Sequence, residues 1–303
     1  MKKKKKKLNG WTAFDTVISI IAGFALVITL YPMVYVAACS ISDPLAVIAG
    51  KVVLWPVGFS LKAYEMVIFN VEYWRSMLNT VGYVIANCIC MFLTTVMMAY
   101  PLTRPNLKYR KFVTYFLLIP MYFGGGMIPS FILITKLGLY NNPLALILPG
   151  SVSIWNIILC RTFMSSLPNE LIEAALIDGC SQFGTFRKIV LPLSKPVIAV
   201  IMIYTIVGTW NAWFGASIYT TKEELWPVQL YLRHLLAASN STTDEKLLEG
   251  LTEEAYKALR ETELSANQIK YAMILLTTAP IIAVYPMFQK HFTKGIMLGS
   301  LKG

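Results

Sequence analysis

The chain has 303 residues, 56% of them hydrophobic and 14% charged, with a formal net charge of +11. A soluble domain carries about 25% charged residues, so this composition argues against a soluble enzyme or binding module and for a membrane protein. The positive balance does not indicate nucleic acid as a partner, because the Lys and Arg lie at the ends of apolar runs rather than on one soluble face.

A spanning helix needs about 20 mostly apolar residues. Residues 16–38 and 77–100 are uncharged and give the first two spans. The Lys2–Lys7 run ahead of the first resembles a signal-peptide start, and Val36-Ala37-Ala38-Cys39 resembles a lipoprotein cleavage box. The apolar stretch is longer than the roughly 7–15 residues of a signal core. A retained helix, its lysines on anionic headgroups, is the expectation. The third span starts at Phe112 and is broken by Pro120 and Gly124-Gly125-Gly126, with apolar sequence resuming over 127–135. Residues 143–160, 197–214 and 271–288 give the remaining three spans. The fold class is an all-α membrane protein with about six transmembrane helices.

Basic residues crowd into short segments on alternate sides. Lys2–Lys7 are followed by Arg104, Lys108, Arg110 and Lys111, then Arg161, Arg187, Lys188 and Lys195, then Lys290, Lys294 and Lys302. The positive-inside rule makes these segments and both termini cytoplasmic. The division is a basic N-terminus 1–15, a transmembrane region 16–292 and a tail 293–303. Residues 223–268 form an extracellular insert. Within it Leu247, Leu248, Leu251, Ala255 and Leu259 recur at helical spacing among charges, an amphipathic helix with a Ser/Thr cluster ahead of Asp244.

Cys39, Cys88, Cys90, Cys160 and Cys180 form no CxxC pair, and His234 and His291 stand apart. No metal site, disulfide framework or catalytic residue is expected. The chain has no GxxxxGK[ST] phosphate loop. The span interiors lack Asp and Glu, which argues against the alternative of an ion-coupled secondary carrier. A membrane glycosyltransferase is argued against by the lack of a carboxylate or His constellation.

The most informative segment is 167–196, which overlaps a cytoplasmic loop over 164–190. Pro168 suits a first helical turn, with Glu170 and Glu173 near its positive end. Leu171, Ala174, Ala175 and Asp178 follow helical spacing, and Ala174, Ala175 and Gly179 make one side small. Gly179 is a natural stop and Ser181 a cap for a second helix. Phe183, Phe186, Ile189 and Val190 are expected to hold that helix against the spans, with Pro192 and Pro196 marking the turn into the fifth. The spacing alone fits an ordinary connector or a rigid force-transmitting element.

The segment resembles the signature of importer-type ABC permeases: Glu173-Ala174-Ala175, then Gly179, Ile189 and Leu191-Pro192 stand at the family's spacing. Gly208-Thr209-Trp210-Asn211-Ala212-Trp213-Phe214 resembles the carbohydrate-uptake branch, relatives of the smaller maltose-transporter permease. Residues 123–131 and the tail 294–303 resemble its polysaccharide and complex-oligosaccharide subgroup. The likeness runs from the first span to the C-terminus; the Lys2–Lys7 run and the acidic insert depart from it.

The resemblance implies a type I importer permease fold. It implies that the loop docks into a cleft of a separate ATPase, through Glu173, Ala174, Ala175, Asp178 and Gly179, with Ile189, Leu191 and Pro192 completing the element. Partners implied are a second homologous permease, two cytoplasmic ATPase subunits that use ATP and Mg, and a lipid-anchored or periplasmic solute-binding protein. The setting implied is a bacterial plasma membrane. For a saccharide cargo, the expected path residues are Trp210, Asn211, Trp213, Tyr204, Tyr122 and Asn87, with Asn79, Trp155 and Asn156 as further candidates. Neutral amides can bond hydroxyls, and aromatic faces can pack on sugar rings. Belt aromatics and interhelical amides are the competing uses.

Overall fold

The computed structural model describes residues 12–240, 268–284 and 286–287. Lys2–Lys7, the amphipathic helix expected near Asp244, and the tail 293–303 lie outside the described residues. Among those described there is no strand, only an isolated antiparallel bridge between Ser42 and Phe59. The chain divides into two compact units, Met1–Phe69 with Leu236–Leu276, and Asn70–Leu235 with Thr277–Gly303.

In the first unit the helix Ala13–Ser40 opens on a capping box. Thr12 accepts from the Asp15 amide while the Asp15 carboxylate accepts from the Thr12 amide. Most of this helix is exposed, and its exposed side chains are mostly apolar. Its end packs into a small cluster of Ala38, Cys39, Val47 and Val52, with Tyr35 and Tyr271 against it. Ser42 ties the turn after it: its hydroxyl donates to the Ala38 carbonyl at 2.6 Å and accepts from the Val57 amide at 3.1 Å.

The second unit is built on Val71–Thr103. At 33 residues it exceeds the expected span 77–100 at both ends. At 1.5 Å per residue it is about 50 Å long, beyond the roughly 30 Å of a hydrocarbon core. Its buried positions include Tyr73, Met77, Thr80, Tyr83, Asn87, Met91, Thr95 and Ala99, which recur every three to four residues and mark one face. Ile154–Ser165 and Lys195–Trp210 pack on this helix.

The third expected span is two helices, Arg110–Tyr122 and Met127–Lys136, bent by 112°. Gly126, at φ +83°, makes that corner. The fifth is preceded by the helical run Gln182–Leu193, bent by 72° from Lys195–Trp210. Among the described residues, two helices are long and apolar enough to cross a membrane, or up to four spans if each bent pair is one. The last expected span begins as the apolar helix Gln268–Val284.

The fourth expected span, 143–160, is not one helix. It divides into Leu144–Ile147 and Ile154–Ser165, with Pro149 and Gly150 between them. Side chains of Val71–Thr103 bond the carbonyls beside and within the break. Thr94 Oγ1 donates to the Ser151 carbonyl at 2.6 Å, and Asn87 Nδ2 reaches the Leu146 carbonyl at 3.4 Å. Gly150 lets the two segments approach closely: a Cβ there would sit 2.9 Å from Asn87 Oδ1, and the amide would have to shift. A broken helix at membrane depth is tolerated where neighbours re-satisfy its backbone in this way.

Candidate functional site

Residues 164–190 form a corner of two short helices. Pro168 stands one position before the expected first turn, as N-cap with extended ψ 125°, and Asn169–Ile177 follows. The helix ends in a Schellman motif. The Gly179 amide donates to Leu176 O at 3.1 Å and the Cys180 amide to Ala175 O at 2.9 Å. Gly179 has φ +79°, a conformation costly for any residue with a Cβ. Ser181 caps the next helix, accepting from the Gly184 amide at 3.0 Å. After Gln182–Thr185 the backbone widens into a π-helical turn, Phe186–Val190, then Leu191–Leu193 leads to the bend at Ser194.

This corner is anchored rather than loose. Ile172 and Val190 belong to one buried cluster with Met91, Tyr100, Cys160, Met164, Val197 and Ile201, and Leu191 and Phe186 pack against it. The Phe186 ring lies 4.7 Å from that of Tyr100, and the Tyr100 hydroxyl donates to Gln182 O at 3.3 Å.

The residues singled out in this loop separate by face. Glu173, Ala174, Asp178 and Gly179 are exposed. Ala175 is only 5% exposed, so its small side chain serves packing inside this chain. Ile189 and Leu191 are half-buried, and Pro192 is exposed at the bend. Phe183, expected to pack inward, is 69% exposed instead. The sequence reading also passed over Ile177, which is 86% exposed at the tip beside Gly179. An isoleucine two residues before a helix-stopping Gly, out of phase with the buried Ile172, was the available signal.

The candidate path residues also divide. Trp210 is buried, and its indole N–H donates to Thr277 O at 3.1 Å, a helix-to-helix bond. Asn87 is buried at the break described above. Asn79 donates to the carbonyls of Glu224 and Trp226 at 2.7 and 3.2 Å, pinning the turn Glu223–Leu225 and the residue after it to Val71–Thr103. Asn156 is buried, its amide 3.5 Å from the Met91 sulfur. Asn211, Tyr204, Tyr122 and Trp155 are exposed. Trp213 is half-buried, its ring 5.5 Å from Phe214, with the Arg233 guanidinium 3.7 Å over its face. The sequence reading did not single out Arg233.

Comparison with known proteins agrees with this architecture. The family described as binding-protein-dependent transport system inner membrane component matches residues 12–298. Protein LplC of Bacillus subtilis (strain 168) is 36% identical over 96% of this chain and 95% of its own length. The polygalacturonan/rhamnogalacturonan transport system permease protein YtcP of the same organism is 38% identical over 92% of this chain and 94% of its own. Among solved structures, a chain of a bacterial ABC transporter involved in the import of the acidic polysaccharide alginate superposes with a TM-score of 0.82. It is 30% identical, and the match covers 95% of this chain and 99% of that one. The chain belongs to the family of binding-protein-dependent transport system inner membrane components, the permease subunits of ABC importers.

Proposed function

We propose that this permease subunit forms half of the membrane unit of an ATP-driven importer of oligosaccharides or complex glycans. It crosses the bacterial plasma membrane six times with both termini cytoplasmic. A second homologous permease completes the membrane unit, and an external binding protein, lipid-anchored or periplasmic, delivers the cargo. Two cytoplasmic ATPase subunits bind ATP and Mg. Two relatives named for polygalacturonan/rhamnogalacturonan and for alginate support the saccharide class.

The observation that carries the reading is the anchored corner 164–190. A helix end fixed by a Schellman turn and rooted in the bundle core moves with the bundle, so a push at its tip shifts the spans. Glu170, Glu173, Ala174, Ile177 and Asp178 offer an exposed face with acids around one apolar knob. That face fits a cleft with an apolar floor and basic rim on the ATPase. Closure of the ATPase dimer on ATP then biases the same global states that the cargo biases, which is coupling between two sites.

The test uses the assembled importer in proteoliposomes with its cognate binding protein. Ile177→Asp and Glu173→Ala are expected to lower saccharide-stimulated ATP hydrolysis at least tenfold, a loss of about 1.4 kcal/mol of coupling. Unchanged stimulation and unchanged ATPase copurification in both variants would remove the docking assignment.

A further inference from the structure

A groove of about 910 Å³ opens between the end of Val71–Thr103 and Asn169–Ile177. It is lined by Arg104, Arg110 and Arg161, and Glu173 is the one carboxylate among its lining residues. Two of the guanidiniums, those of Arg104 and Arg161, are held by neutral groups. Arg104 Nε donates to Thr103 Oγ1 at 2.9 Å, and its guanidinium lies 4.9 Å over the Tyr100 ring. Arg161 Nη1 reaches Thr114 Oγ1 at 3.4 Å. These contacts orient the charges without neutralising them, so the groove keeps a positive excess.

Its depth is set by the helices. Arg104 caps the end of Val71–Thr103, Arg110 opens Arg110–Tyr122, and Arg161 lies in the last turns of Ile154–Ser165. All three charges therefore sit where apolar helices end. Beyond Arg110, Phe112, Phe116 and Ile119 recur at helical spacing and are exposed. A half-buried cationic pocket beside an exposed apolar stripe has the shape of an amphiphile with an anionic head.

We propose that this groove binds the phosphate headgroup of an anionic phospholipid, its acyl chains lying along Phe112, Phe116 and Ile119. On the topology proposed above, on which this assignment rests, the lipid belongs to the cytoplasmic leaflet. Guanidinium forks match phosphate oxygens, and basic pockets between membrane helices take such headgroups. Because Glu173 lines the same groove, a bound headgroup sits against the docking helix and links lipid charge to its position.

The test is native mass spectrometry of the delipidated full chain, titrated with phosphatidylglycerol, cardiolipin, phosphatidylcholine and inorganic phosphate. The two anionic lipids are expected to bind, and phosphatidylcholine and free phosphate to bind far more weakly. Replacing all three arginines by Gln is expected to weaken phosphatidylglycerol roughly a hundredfold, while Lys136→Gln, on another exposed helix end, changes nothing. If the triple variant does not fold, Arg104→Gln and Arg110→Gln singly carry the test, each with about a fivefold loss. Equal binding of phosphatidylcholine, equal binding of free phosphate, or indifference to the arginines would overturn the assignment. So would loss of ATPase copurification with lipid binding intact, which gives the groove to an acidic segment of the ATPase. The lipid readout needs neither ATP nor a defined sidedness, so failure of the docking or topology reading would show separately.

Discussion

Ala174 and Ala175 are adjacent and chemically identical, yet only one is available to a partner. In a nine-residue helix two phases offer similar apolar content: Leu171 with Ala174, or Ile172 with Ala175. The folded chain buries the second pair, a choice of phase that the spacing alone does not make. This changes what a mutation reports. Ala175→Leu overpacks the interior and is expected to destabilise the chain by about 1–3 kcal/mol, read as a lower midpoint of thermal unfolding in detergent. Ile177→Asp alters an exposed tip and is expected to leave that midpoint unchanged, with a stability effect within about 0.5 kcal/mol. Gly179→Val forces a β-branched residue to φ +79° and is expected to cost about 1–2 kcal/mol by the same measurement. Trp210 gives the same lesson in the fifth span. Its place beside Asn211 suggested a sugar platform, but its bond to Thr277 makes it a strut. Trp210→Phe is expected to lower stability by about 0.5–1.5 kcal/mol through loss of the indole bond, with the cargo's half-saturating concentration unchanged.

At the scale of elements, hydropathy located the apolar segments and charge supplied a topology to test. It did not show which segments are continuous helices. Residues 143–160 read as a span because Pro149 and Gly150 barely lower an apolar average. What permits the break lies 57 residues away, in the Thr94 hydroxyl that meets the Ser151 carbonyl. No local pattern encodes such a pairing. Thr94→Val keeps the shape and removes the donor. It is expected to destabilise the bundle by about 1–3 kcal/mol, measured by thermal unfolding in detergent. The Gly124–Gly126 interruption and the Gly179 corner were legible, because glycine at a turn acts through its own backbone. The π-helical turn at Phe186–Val190 carried no such local mark.

For the molecule as a whole, the permease identity was legible because Glu173-Ala174-Ala175, Gly179, Ile189 and Leu191-Pro192 keep a fixed spacing. The structure gives that spacing a physical reason. It sets one helix, one left-handed corner and one return into the core, with Ile172 and Val190 in the same buried cluster. What was not legible is the tip, Ile177 and Phe183, whose exposure depends on the phase of the whole corner. The central claim is that this tip transmits ATPase motion to the spans. It is tested most directly by disulfide cross-linking at the tip. A single cysteine at Ile177, in a chain stripped of its five native cysteines, is paired with single cysteines along the cleft of the partner ATPase. The account predicts efficient cross-linking to the cleft, saccharide-stimulated ATP hydrolysis blocked by the cross-link, and recovery on reduction. Full stimulated hydrolysis with the cross-link intact, or no cross-link in an active complex, would contradict it.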